Sequence, residues 1–215
     1  MNDLTIRQNI QNAMQFEPSL DAAHIGVAVD KGIVTLSGHV NSYAEKLMAE
    51  RIAKRVIGVK GLAQELEVEY ASDKKTADDQ IAKRVINILE WDTTIPTGTV
   101  LVKVEKGFVT LTGSVSWNYQ KVAAQKAIEK LSGVRGINNM ITIMTSEKID
   151  DVKKRIEDAL TRDAEVEAKN IKVTFSDGSV SLEGRVHTFH ERDLVENAAW
   201  SAPSVRTVNN HLIIS

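Results

Sequence analysis

Asp30-Lys31-Gly32-Ile33-Val34-Thr35-Leu36-Ser37-Gly38 sets a turn glycine, an apolar β-branched run and a second glycine in immediate succession. The order returns in Glu105-Lys106-Gly107-Phe108-Val109-Thr110-Leu111-Thr112-Gly113, and once more in Ser176-Asp177-Gly178-Ser179-Val180-Ser181-Leu182-Glu183-Gly184. The first glycines stand 75 and 71 residues apart. Self-similarity at a fixed long period means that one supersecondary unit is copied along the chain. A glycine between two apolar runs suits a hairpin whose turn needs positive φ, so Gly32, Gly107 and Gly178, with Gly38, Gly113 and Gly184 behind them, read as structural turn positions.

The agreement continues outward without gaps. Upstream of the first glycine, Ile25, Val27 and Val29 match Val100, Val102 and Val104, and then Ile171, Val173 and Phe175. That alternation belongs to a strand with one buried face. Farther upstream, Ile10 and Met14, Val85 and Leu89, and Ile156 and Leu160 are each four residues apart and share one helix face. They are followed at matching places by Leu20, Ile95 and Val166. First helices are expected over about 4–15, 79–90 and 149–161, with Trp91, which aligns with Phe16, closing the edge of its own core.

Downstream of the second glycine a second helix is marked by its chemistry. Ser42 with Glu45 and Thr188 with Glu191 have capping-box spacing, in which hydroxyl and carboxylate satisfy amide donors at a helix N-terminus. The middle copy has Trp117 in that place. Ala49, Ile52, Ala53 and Val56 correspond to Ala124, Ala127, Ile128 and Leu131, and to Val195, Ala198, Ala199 and Ala202, a narrow face suited to close packing on a sheet. Gly58, Gly133 and Pro203 stop these helices, and last strands end near Val68, Ile143 and Ile214. The units are therefore 1–70, 78–145 and 149–215. The connectors 71–77 and 145–148 are too short to separate them, and a unit this small is marginal alone. Close packing of neighbours is expected.

The composition narrows the chemistry. The chain has 215 residues, 42% of them hydrophobic, with 27 Lys and Arg against 29 Asp and Glu and a net charge of -2. No overall positive field draws it to nucleic acid. With no cysteine, disulfides, thiolate catalysis and Cys-ligated metals are excluded. The sequence carries no nucleophile elbow, phosphate loop or dinucleotide fingerprint. Acid pairs such as Asp78-Asp79 and Asp150-Asp151 open first helices, where negative charge complements the helix dipole. His187 and His190 have metal-like spacing but read as polar residues of a strand-to-helix turn. Neither catalysis nor a cofactor or metal is expected. No run is apolar enough for a transmembrane helix, and no signal segment is read at the start, so a cytoplasmic location is expected, or a periplasmic one if a leader has been removed.

Helix, strand, Gly turn, strand, second glycine, Ala-rich helix, Gly-Val and strand together resemble the BON domain of bacterial envelope and osmotic-stress proteins. The most telling residues are Val34-Thr35-Leu36-Ser37-Gly38 and its two copies, then Gly58-Val59, Gly133-Val134 and Ser204-Val205. The resemblance implies three tandem α-β-β-α-β sandwiches, each a three-stranded mixed sheet with two helices on one face. It also implies transport-associated binding modules without catalysis, linked to phospholipid surfaces, to the cell envelope and, in one case, to potassium.

Charge is uneven between the copies. Residues 78–145 hold eight basic and six acidic side chains, whereas 1–70 hold seven and nine, and 149–215 nine and twelve. In the positive unit Trp117, Tyr119, Lys121, Lys126, Lys130 and Arg135 accompany the second helix, a composition suited to a lipid headgroup boundary. Lys46, Lys121 and Arg192 share one place in all three units, compatible with an anion-facing role or with solubility. Trp200 falls off its helix's packing face and is expected against a neighbouring unit. These residues are the candidate site, for anionic phospholipid or a protein partner, with self-association as a further possibility. The alternative is a potassium sensor built from carbonyls of the Gly turns.

Overall fold

The computed structural model describes residues 2–70, 76–144, 151–162 and 171–214. Ile149, Asp150, Val166 and connector residues 71–75 and 145–148 lie outside them. The chain opens with α1 (Asp3–Phe16), a short 3-10 turn (Ala22–His24), β1 (Ile25–Asp30), β2 (Ile33–Val40), α2 (Tyr43–Arg55) and β3 (Gly61–Val68). It continues with α3 (Asp78–Trp91), β4 (Val100–Glu105), β5 (Phe108–Val115), α4 (Asn118–Ile128) and a last strand in two pieces, β6 (Gly136–Asn139) and β7 (Thr142–Ile143). It ends with α5 (Val152–Arg162), β8 (Ile171–Ser176), β9 (Ser179–Val186), α6 (Phe189–Trp200) and β10 (Thr207–Ile214).

Each unit carries the expected mixed sheet. β1, β4 and β8 run antiparallel to the central strands β2, β5 and β9, which pair in parallel with β3, β6 and β10. The register repeats, with Ile33 opposite Gly61, Phe108 opposite Gly136 and Ser179 opposite Thr207. Inward residues of the central strand, Val34 and Leu36, Val109 and Leu111, and Val180 and Leu182, are fully buried. Against them pack Ile6, Ile10 and Met14 of α1, Ile81, Val85 and Leu89 of α3, and Val152, Ile156 and Leu160 of α5, giving one core per unit. The second helices add Ala49 and Ala53, Ala124 and Ile128, and Val195 and Ala199.

The hairpin turns are built alike. Lys31 and Gly32 have φ of 50° and 80°, Lys106 and Gly107 52° and 81°, Asp177 and Gly178 49° and 78°. Two consecutive positive φ values define the type I′ turn that matches strand twist. The Gly32, Gly107 and Gly178 carbonyls accept the backbone N–H groups of Lys60, Arg135 and Arg206 at 2.8, 2.9 and 2.7 Å. Each turn thus fixes where its third strand begins. Asp78 does more than face the helix dipole: its carboxylate accepts the N–H groups of Lys106 and Gly107 at 2.7 and 2.9 Å. Asp3 does the same for Lys31 and Gly32 at 2.8 and 3.0 Å. In the third unit the Arg206 guanidinium donates to the Asp177 carbonyl.

Both caps form, with the Glu45 and Glu191 carboxylates reaching one residue ahead of the box, to the N–H groups of Asn41 and His187 at 3.4 and 2.6 Å. The Ser42 and Thr188 hydroxyls accept the Glu45 and Glu191 amides at 3.2 and 3.0 Å. At Trp117 the box is half kept, since Gln120 Oε1 accepts the Ser116 and Trp117 N–H groups, each at 3.1 Å. Ser204, not Pro203 alone, ends the third unit's helix, taking the left-handed conformation (φ 67°) of Gly58 and Gly133. Trp91 differs from expectation: it is 86% exposed and plugs nothing, and the aligned Phe16 is 89% exposed. Buried Met14 and Leu89 already close those helix faces, and the next residues point outward.

A side chain at the second glycine has no room. A Cβ on Gly113 would run into the Thr99 carbonyl, and the residue's φ is 122°. Gly61, with no positive φ, would offer its Cβ an ordinary contact at 3.6 Å to Ile33. Gly113→Ala is expected to destabilise by more than about 1 kcal/mol in chemical denaturation, while Gly61→Ala stays near neutral. Equal effects would show that close backbone approach is not what selects glycine.

Candidate binding site on the second helices

The three units touch pairwise. Tyr43 of α2 packs on the cores of both first and second units, and its hydroxyl meets the Ile137 backbone. The Tyr70 hydroxyl donates to the Val134 carbonyl at 2.5 Å. Burial pushes both phenols up from their ordinary pKa. Phe189, at the start of α6, packs on the first unit's core, with the Lys54 ammonium 5.9 Å from its ring centre. Trp200, at the end of α6, lies against the cores of the second and third units, and its indole N–H donates to Glu196 at 3.4 Å. Its placement off the helix's own packing face is thus used between units.

Trp117, Tyr119 and Lys126 meet Trp200 around a groove of about 810 Å³ between α4 and α6. Tyr119, Val122, Ala123 and Lys126 supply its α4 wall at helical i, i+3, i+4 and i+7 spacing, and Asn197, Trp200 and Ser201 the facing wall. Tyr119 remains 58% exposed. The other candidates lie elsewhere. Arg135 lines a separate cleft of about 500 Å³ with Tyr70, Asp78 and Lys106. Lys130 is exposed past the end of α4 and lines neither cavity.

The shared cation position has a structural use that the sequence did not disclose. The Lys46 ammonium donates to the Leu66 carbonyl at 2.6 Å, and an Arg192 guanidinium nitrogen lies 3.5 Å from the Asn210 carbonyl. Both tie a second helix to the third strand of its own unit. Burial lowers the pKa of Lys121, as desolvation does for a partly sequestered ammonium. In return the third strand's amide side chains reach the helix, with Asn139 Nδ2 donating to the Lys121 carbonyl at 2.8 Å and Gln64 Nε2 to the Lys46 carbonyl at 3.4 Å. Asn139 Oδ1 accepts the Ile141 N–H at 3.3 Å, where β6 breaks from β7.

Histidine chemistry lies apart from the expected pair. His24, at the end of the 3-10 turn, and His39 of β2 stack at 4.4 Å, whereas His187 and His190 are exposed residues about the α6 N-terminus. Among the described residues no three His, Cys, Asp or Glu side chains converge as metal ligands, and no helix is long and apolar enough to cross a membrane. Burial between α2 and α6 raises the Asp193 carboxyl's pKa, against the pull of Lys54.

Three small mixed sandwiches, joined side by side, define a tandem array of one repeated α/β module. The BON domain model matches residues 2–70, 77–145 and 149–215, and the chain belongs to that family. Osmotically-inducible protein Y of Escherichia coli (strain K12) is 30% identical over 148 residues, covering 65% of this chain and 71% of that protein. Among solved structures, CdsD, a structural protein of the type III secretion system of Chlamydia trachomatis, is aligned over 100% of this chain and 93% of its own at 16% identity, with a TM-score of 0.27. The periplasmic domain of PrgH, a type III secretion inner-membrane protein of S. typhimurium, is aligned over 89% of this chain and 99% of its own at 14% identity, with a TM-score of 0.24.

If Trp200 is a bridge between two cores, its removal leaves a void that neither unit fills. Trp200→Ala is expected to cost roughly 2 kcal/mol in urea unfolding, below the full core-tryptophan value because the ring is half-buried. Tyr119→Ala, exposed beside it, should stay within about 0.5 kcal/mol of the parent. An unchanged midpoint for Trp200→Ala would contradict the bridging role.

Proposed function

We propose that this is a non-catalytic binding protein of the osmotic-stress and envelope type, attaching to anionic phospholipid surfaces through its middle unit. Kinship with a BON-domain protein named for osmotic induction supports the general role. The observation that carries the finer reading is the α4–α6 groove, where Trp117, Tyr119 and Trp200 stand beside the exposed ammonium of Lys126. Aromatic rings with an adjacent cation match the boundary where acyl chains give way to phosphate headgroups. Lys121 is set aside from this role because its ammonium is partly sequestered. Lys126 and Lys130 carry the charge.

Potassium sensing gains no support from the turns. The Gly32, Gly107 and Gly178 carbonyls already accept N–H groups, and the side chains beside these glycines are those of Lys60, Arg135 and Arg206. A cation placed there would meet positive neighbours. The adaptor reading, with a protein partner or a second copy of the chain on the groove, is the outcome to expect if lipid fails.

Vesicle sedimentation tests the proposal. Phosphatidylglycerol vesicles should pellet the protein, and Lys126→Glu with Lys130→Glu should reduce the bound fraction at least tenfold in about 0.15 M salt, where longer-range charge effects are screened. Trp91→Ala, which alters an exposed side chain outside the groove, should change it little. No pelleting, or loss through Trp91 alone, would contradict attachment at the groove.

A further inference from the structure

The outward faces of all three second helices converge on one cleft of about 460 Å³. Arg51 and Arg55 enter it from α2, Val122 and Lys126 from α4, and Asp193 and Asn197 from α6. Lys54 also lines it but is engaged, held by Glu50 at 2.8 Å and placed over the Phe189 ring. Arg51, Arg55 and Lys126 form no ion pair among the described residues. Gathering three unpaired cations costs free energy through mutual repulsion, offset in part by the Asp193 carboxylate of the same cleft, which faces Lys54, and an anion placed among the three would reverse the rest. Guanidinium pairs suit phosphate in particular, because their planar N–H groups engage its oxygens two at a time.

The cleft does not end at its charges. Val122, Lys126 and Asn197 line both it and the aromatic groove, so the two volumes adjoin. A cationic end, with Arg51 and Arg55 of the first unit and Lys126 of the second, stands next to an aromatic trough between the second and third. Apolar walls with a few convergent polar groups at one end, in a volume of several hundred Å³, are the usual make-up of a small-molecule site. We infer that cleft and groove together hold one molecule of a single-chain anionic lipid, its phosphate on Arg51, Arg55 and Lys126 and its chain between Tyr119, Val122 and Trp200. The class of ligand rests on the phospholipid reading, but the site is different in kind. It encloses a monomer, and it requires side chains from all three units.

Titration of the full chain with lysophosphatidic acid below its micelle concentration, followed by tryptophan emission and by melting temperature, tests this. Inorganic phosphate and lysophosphatidylcholine serve as the head alone and the uncharged-overall head. Lysophosphatidic acid is expected to shift Trp117 and Trp200 emission to the blue, to raise the melting temperature, and to bind at one per chain at least tenfold more tightly than either control. Arg51→Glu with Arg55→Glu should remove that tenfold preference, and the milder Arg51→Gln with Arg55→Gln should weaken it, while both leave vesicle pelleting intact. Equal affinity for lysophosphatidylcholine, equal affinity for free phosphate, or an undiminished preference in a folded double variant would each overturn the site. Saturable lysophosphatidic acid binding without vesicle pelleting would sink the surface reading alone, and pelleting without saturable binding would sink this one alone.

Discussion

A single backbone hydrogen bond, repeated three times, sets the geometry on which the rest depends. The carbonyls of Gly32, Gly107 and Gly178 receive the N–H groups of Lys60, Arg135 and Arg206. A hairpin turn formed from local sequence is thereby joined to the entry of a strand about thirty residues later, and the parallel pairing of each third strand starts in the same register. The turn glycine cannot carry a side chain here. A Cβ on Gly32 or Gly107 would sit 2.8 or 2.7 Å from the carbonyl oxygen of Gly58 or Gly133, the residue that ends the second helix. Turn, helix end and third strand are one contact.

From that contact the placement of the second helices follows. The chain leaves the central strand, forms the helix and must return to the turn, so the small-residue faces of α2, α4 and α6 are pressed onto their sheets. Their opposite faces are free for other units. Tyr43, Phe189 and Trp200 spend that freedom on neighbouring cores, and the polar residues between them form the junction. A fold too small to enclose a ligand by itself acquires a cavity by repetition. This is how tandem arrays generally gain binding surface.

Much of the fold was legible because glycine and β-branched residues leave periodic marks. The two glycines, the alternation of Val100, Val102 and Val104, and the four-residue spacing of Val85 and Leu89 each state a local geometry, and the sheet order came with the family resemblance. What escaped was nonlocal or polar. Asp78 reads as a helix-end charge and Asp3 carries no mark of its own, because nothing in the sequence says that a carboxylate will meet two amides at Lys31 and Gly32, or at Lys106 and Gly107. Trp91 is expected inside because aromatic residues usually bury, yet its core is already closed two residues earlier by Leu89, as Met14 closes the first core ahead of the aligned Phe16. The groove was half legible. Its aromatic residues stand out by type, whereas Arg51 and Arg55 of the adjoining cleft carry no mark in the sequence, because only a neighbouring unit gives their helix face a wall.

Amide hydrogen exchange resolved residue by residue reports most directly on the bond that organises each copy. The N–H groups of Lys60, Arg135 and Arg206 sit in connecting segments, where exchange is ordinarily fast, but each is committed to a turn glycine. The account predicts that all three exchange as slowly as the central-strand amides of their own unit. Exchange at the rate of an unstructured peptide at any one of them would contradict it.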